Sequence, residues 1–295
     1  MTVEPDIKRQ VREFYDQVGW QLVGEDVYQN AHYEDLRLVA REYIHRCHGR
    51  VTRHLNPVGR CLLDAGSGPI QYPEYLEYSQ GYRYRVCADI SITALKEARK
   101  RIGEHGQFVV ADIANLPFKP GAFEGIVSLH TIHHLPESEH LQAYSELYRV
   151  LAPGSAATLV NGWDSPPLTR FLEAPLRLRK YLRARRRKAR VQPAADRAEE
   201  DPAGLACAGI RPKGTFVQKK NAAWLAREFG RAMAGERYSL EIFVWRSVSV
   251  RFLRTFIRPR LAGRVWLRLL YWLEERFPHF FGENGQYPLI VIRKL

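Results

Sequence analysis

Cysteine is scarce in this chain. Cys47, Cys61, Cys87 and Cys207 are the only four in 295 residues, and no two stand at the close spacing of a metal-binding pair. That argues against a disulfide-stapled secreted fold and against a cysteine-ligated metal. Cys61 and Cys87 fall in apolar stretches and read as core thiols. No set of Asp, Glu and His shows metal-ligand spacing either, so no metal is expected. Long apolar runs are missing as well. None approaches 18 residues, so no segment is expected to span a membrane. The first residues, Met1 to Asp6, are polar and acidic and lack the apolar centre of a secretory signal. A cytoplasmic location is the expectation from these absences. There is no internal repeat. Acid is the last thing in short supply, and only in part of the chain. Residues 1–163 hold 17 Lys and Arg against 20 Asp and Glu, a net −3, whereas residues 164–295 hold 28 against 12, a net +16. Such asymmetry calls for an acidic partner: a nucleic acid, an anionic membrane surface or a phosphorylated substrate.

What is present is organised around Cys61 to Ile70. Three apolar residues suit a buried strand, an acid closes it, and two glycines spaced by one follow. Glycine tolerates positive φ and lets a ligand approach the backbone closely. Asp64 then sits at the carboxyl end of a strand, where open α/β sheets bind ligands. A second short strand, residues 85–89, ends in Asp89, and Ser91 can cap a helix carrying Ile92, Leu95, Ala98 and Ile102. A third, residues 108–113, has Asp112 near its end, and a fourth spans residues 123–129. Strands alternating with helical stretches mean a parallel sheet with right-handed crossovers. Three successive strands ending in acids point to a nucleotide-like ligand. A dinucleotide fingerprint is not met, because Pro69 and Ile70 stand where the third glycine would begin its approach.

These stretches resemble the class I S-adenosylmethionine-dependent methyltransferases, in particular the type 11 family. The matching segments are Asp64-Ala65-Gly66-Ser67-Gly68, Ala88-Asp89-Ile90-Ser91, Asp112-Ile113-Ala114-Asn115-Leu116-Pro117-Phe118, Ser128 to Pro136, and Glu146 to Gly154. The resemblance covers about residues 55–163. It implies a Rossmann-like α/β fold with a seven-stranded, mostly parallel sheet, the last two strands antiparallel at one edge. It implies S-adenosyl-L-methionine as cofactor, with Asp64 and the backbone of Ala65, Gly66, Ser67 and Gly68 facing its amino-acid moiety. Asp89 would hold the ribose hydroxyls, Asp112 would receive the adenine amino group, and Ile90 and Ile113 would sandwich the ring. His130 would lie beside the methyl group. His130, His133 and His134 are the candidates for a base toward an oxygen acceptor, with Asn161 and Asp164 placed to orient it. Neighbouring helical residues point about 100° apart, so His133 and His134 cannot both serve.

Around this core the chain divides into four parts. Residues 1–56 form an N-terminal helical lid, with helices expected over 5–18 and 35–54 and with Tyr15, Tyr28 and His32 within reach of cofactor or acceptor. Residues 57–163 are the cofactor-binding core. Residues 164–239 are a basic helical insertion with a mobile loop over 191–214. Residues 240–295 supply the last two strands with a second basic and apolar helical insertion between them. The expected activity is methyl transfer to a small, sugar or lipid-linked acceptor, with oxygen favoured over carbon. RNA methylation and a non-catalytic cofactor-binding module are the alternatives. Segments 166–190 and 251–273 pair apolar with basic residues, and peripheral attachment to an anionic membrane is expected of them, with Leu168, Phe171, Trp266 and Trp272 as the inserting residues. The competing arrangement packs these faces together as a roof over the acceptor.

Overall fold

A computed structural model describes residues 4–24, 27–175 and 215–295. Its centre is a seven-stranded sheet. The strands are β3 (Gly59–Ala65), β4 (Tyr82–Asp89), β5 (Gly106–Val110), β6 (Phe123–Leu129), β7 (Leu151–Val160), β8 (Tyr238–Arg246) and β9 (Tyr287–Lys294). Their spatial order is β5-β4-β3-β6-β7-β9-β8. The first five run parallel, and β9 pairs antiparallel with both β7 and β8. Order reverses between β3 and β6, which opens a crevice beyond the carboxyl ends of the strands.

Alternation along each strand divides the core in two. Leu63, Ile126, Leu159 and Ile290 face α4 (His140–Val150) and α6 (Ala222–Ala232). Leu62, Val127, Val160 and Leu289 face the other side, packed with Leu95 and Ala98 of α3 (Ile92–Ile102) and with Tyr75 and Tyr78. Ser91 caps α3 by accepting from Ala94 N at 3.0 Å. The Cys87 thiol is fully buried, and burial pushes its pKa up to about 12.

Helix α1 (Glu4–Phe14) runs into a wider π-turn at Tyr15–Gly19, followed by a hairpin of β1 (Leu22–Gly24) and β2 (Val27–Tyr28). Lys8, Tyr15 and Trp20 from this region face the crevice. The second expected helix is shorter than its sequence period suggests. Helix α2 spans Arg41–His48, because buried Asp35 draws the Arg37 guanidinium back onto itself at 2.6 and 2.7 Å and leaves Leu36 exposed. Residues 73–79 form a 3-10 turn rather than an α-helix.

A third cluster joins α2 to α7 (Val250–Phe256) and α8 (Gly263–Arg276) through Tyr43, Ile44, Leu253, Ile257 and Leu267. Buried Glu274 of α8 anchors it, accepting from Tyr43 Oη at 2.8 Å, Arg50 Nη1 at 3.0 Å and Ser247 N at 2.9 Å. These donors satisfy the buried carboxylate and fix the helix against the sheet. Short helices α5 (Pro167–Leu172) and α9 (Pro278–Asn284) complete the described elements. The expected mobile loop, and the basic segment beyond residue 175, lie outside the described residues.

Candidate active site

The loop after β3 turns sharply because two glycines take positive φ, +74° at Gly66 and +55° at Gly68. A Cβ on Gly66 would stand 2.2 Å from Thr131 Oγ1, so only glycine fits. Ile70, at the place of the absent third glycine, is itself left-handed at φ 57° and fully buried. That is unusual for a β-branched residue; burial and a hydrogen bond from Arg101 Nη1 to Ile70 O at 3.1 Å accompany it.

Asp64 closes β3, but its carboxylate is turned into an ion pair with buried Arg85, 2.5 Å from Nη2 and 3.1 Å from Nε. Arg85 also donates to Tyr75 O at 2.5 Å, so the pair ties the first loop to the turn that follows it. Asp89 accepts from Gly68 N at 2.9 Å and Ser91 N at 2.8 Å. Desolvation outweighs those two bonds and raises its pKa to about 6. Asp112 lies two residues beyond the end of β5, accepts from Ala114 N at 2.9 Å, and pairs with Lys8 Nζ of α1 at 2.5 Å. Lys8 also pairs with Glu139.

These groups surround a cavity of about 140 Å³ lined by Asp64, Gly66, Asp89, Asp112, Ile113 and His130 among others. Ser67, Gly68 and Ile90 also line it, whereas Ala65 is fully buried in the strand behind. These nine of its lining residues are ones the sequence motifs single out. Carboxylates, apolar walls and a close-approaching backbone fit a nucleoside bearing an amino-acid tail, and the positive-φ glycines leave the room that a Cβ would fill.

A second cavity of about 260 Å³ adjoins the first. Tyr15, Asn30, Gln71, Tyr75, His130 and His134 line both, so they form the wall between the two. His134 is committed at each nitrogen. Phe216 O can only accept, so Nδ1 donates to it at 2.7 Å, and Nε2 then accepts from Tyr15 Oη at 2.9 Å. His133 lines the second cavity alone, and its Nδ1 donates to Asn161 Oδ1 at 3.3 Å, leaving Nε2 as an acceptor. His130 has φ 58°, with its N–H on Val160 O at 2.6 Å and its ring edge against Trp245 and Tyr287. Burial lowers all three, His130 to about 3, His134 to about 4 and His133 well below the usual imidazole range. All are neutral at pH 7.

Residues 63–159 match the methyltransferase domain family. That stretch of the chain is a methyltransferase domain. A tRNA (carboxymethyluridine(34)-5-O)-methyltransferase of Arabidopsis thaliana is 28% identical over 144 residues, covering 42% of this chain and 33% of that protein. The matched part of the chain therefore spans about a third of that relative's length. A geranyl diphosphate C-methyltransferase from Streptomyces coelicolor superposes with a TM-score of 0.53 at 15% identity, covering all of both chains. A phosphoethanolamine N-methyltransferase of Haemonchus contortus gives a TM-score of 0.53 at 10% identity, covering 99% of this chain and 49% of its own. At these identities the two solved structures share the fold.

Several wall residues have no signature in the sequence. Lys8, Trp20 and Asn30 line the first cavity without any motif to announce them, and Lys219 and Arg246 line the second from segments outside the core. Tyr15 reaches both cavities as expected, whereas Tyr28 is 2% exposed and packs edge-on against Trp20. The side chain of His32 lies outside the described residues. Asn161 orients His133, while Asp164 is not among the residues lining either cavity. Among the described residues no group of three or more His, Cys, Asp or Glu is arranged to hold a metal ion.

Proposed function

We propose that this chain transfers the methyl group of S-adenosylmethionine to an oxygen of a small or lipid-linked acceptor. The observation that carries this is a wall, including Tyr15, His130 and His134, shared by two adjoining cavities, the first lined by Asp89 and Asp112 and the second by His133. Asp89 would hold the ribose hydroxyls, Asp112 the adenine amino group, and Ile90 and Ile113 the ring faces. The cofactor supplies a methyl group on a positively charged sulfur, already a good leaving group. The protein's own task is alignment and exclusion of water. His134 acts as a positioning residue, because its Nε2 holds the Tyr15 hydroxyl. His133, with its free Nε2 in the acceptor cavity, is the histidine placed to take a proton. Its lowered basicity suits an acidic hydroxyl better than an aliphatic alcohol.

RNA is the second reading, favoured by the net +16 of residues 164–295 and by the name of the plant relative. Labelled methyl transfer in a cell extract separates the two. The label is expected in a small-molecule or lipid fraction that survives ribonuclease. Label lost on ribonuclease digestion would replace our reading with the RNA one.

Attachment to an anionic membrane belongs to the same proposal. Val265, Leu269 and Trp272 of α8 recur at helical spacing and are all exposed, with Trp266 and Trp272 each 59% exposed. Phe171 is 76% exposed. The exposure of these three aromatic residues favours the membrane reading over a roof of mutually packed faces. Arg264 and Arg268 flank the stripe, and each basic residue near anionic lipid contributes about 1 kcal/mol. The protein is expected to float with anionic vesicles at low salt and to detach at high salt. A protein that stays off such vesicles at low salt ends the membrane proposal.

A further inference from the structure

The acceptor cavity holds more positive charge than its walls neutralise. Lys219 crosses the end of β7, where a Cβ on Gly162 would stand 2.9 Å from its Nζ. Its only acidic influence is Asp164, and burial lowers the amine's pKa all the same. Arg246, the last residue of β8, is 1% exposed. It donates to Glu34 through Nη1 and lies over the Trp245 and Tyr287 rings at 5.2 and 4.7 Å. Among the described residues its buried Nε has no acceptor, and the buried hydroxyl of Thr215 has no partner. Lys219, Arg246 and Thr215 all line the 260 Å³ cavity, and Glu34 is the one carboxylate in its lining.

A buried donor left unmade is unfavourable, and two cations in a confined cavity repel. A cofactor sulfonium next door adds a third positive charge, and three neutral histidines offset none of it. We propose that the methyl acceptor is an oxyanion, a molecule that presents a carboxylate or a phosphate to Lys219, Arg246 Nε and Thr215 Oγ1. This rests on the methyl-transfer reading and narrows its acceptor. An oxyanion satisfies both orphaned donors at once. If the anionic oxygen is itself the nucleophile, no proton has to leave, which agrees with histidines held neutral by burial.

The cavity is large enough for a substituted benzene ring. Benzoate, phenyl phosphate and the uncharged benzamide therefore serve as probes, titrated by calorimetry into the protein saturated with S-adenosylhomocysteine. Benzoate or phenyl phosphate is expected to bind about tenfold or more tightly than benzamide, and the tighter of the two names the anion. Lys219→Met is expected to remove that preference, and Lys119→Met, at an exposed site, to keep it. The proposal is overturned if benzamide binds as well as both anions, if no anion binds, or if Lys219→Met keeps the preference. S-adenosylhomocysteine binding is measured first, and its absence would instead count against the methyl-transfer reading.

Discussion

An Arg85→Met variant is expected to lose about 3–5 kcal/mol of stability, because it leaves the Asp64 carboxylate buried without its partner. Both residues are almost fully buried, and three donor bonds of the arginine go with it. Burial raises the pKa of Asp64 even with Arg85 present, and the partner only partly offsets this. Without Arg85 the pKa rises further. An acid whose folded-state pKa is raised contributes stability below its unfolded value and loses it as pH rises through the folded one. The variant should therefore recover stability on acidification from neutral pH. A second change, Asp64→Leu in the Arg85→Met background, removes the stranded charge and should restore part of the loss. Urea denaturation midpoints decide the matter. A single variant as stable as the wild type, or a double variant no better than the single, would refute this account of the pair.

The second large effect concerns Asp89. Asp89→Asn is expected to weaken S-adenosylhomocysteine about tenfold to hundredfold, the range for hydrogen bonds to a charged group. Its ionised form is the one suited to accept from ribose hydroxyls, and its pKa is raised to about 6 by desolvation. Wild-type affinity should then fall as pH drops below about 6. Stability of the unliganded protein moves the other way. The raised folded pKa means that Asp89 opposes folding above about 6 and ceases to do so as pH falls toward its unfolded value near 3.8. Calorimetry from pH 7 to pH 5 on both proteins tests the argument. A flat wild-type profile, or an asparagine variant that binds like the wild type, contradicts the assigned role.

Much of the cofactor side was legible because it is local in sequence. Strand, acid and glycine follow one another at Asp64, Gly66 and Gly68, and the same run of strand, acid and cap occurs at Asp89 and Ser91. Backbone geometry obliges those residue types, so the sequence carries their signature. The acceptor side was not legible for the opposite reason. Lys219 and Arg246 come together with His130 only through the pairing of β7, β9 and β8, and no spacing along the chain encodes that meeting. The histidines were visible as a cluster, but their roles depend on distant partners. His134 is decided by Phe216 O and Tyr15, 82 and 119 residues away. The helix expected over residues 35–54 failed at its start because a buried side-chain pair, Asp35 with Arg37, outranked the apolar period. Net charge suggested an anionic partner without saying which basic residues would line the second cavity.

Lys8 has two carboxylates, and that gives the N-terminal helix a double latch. One catch is Asp112 in the nucleoside cavity, and the other is Glu139 beside α4. An amino group arriving on Asp112 competes for the first catch alone. The ammonium keeps Glu139, so α1 stays docked while its grip on the cavity slackens. Closure of this face would then be graded rather than all-or-none: a neutral amino group on Asp112 would replace one ionic contact with a hydrogen bond, without releasing the helix from the sheet.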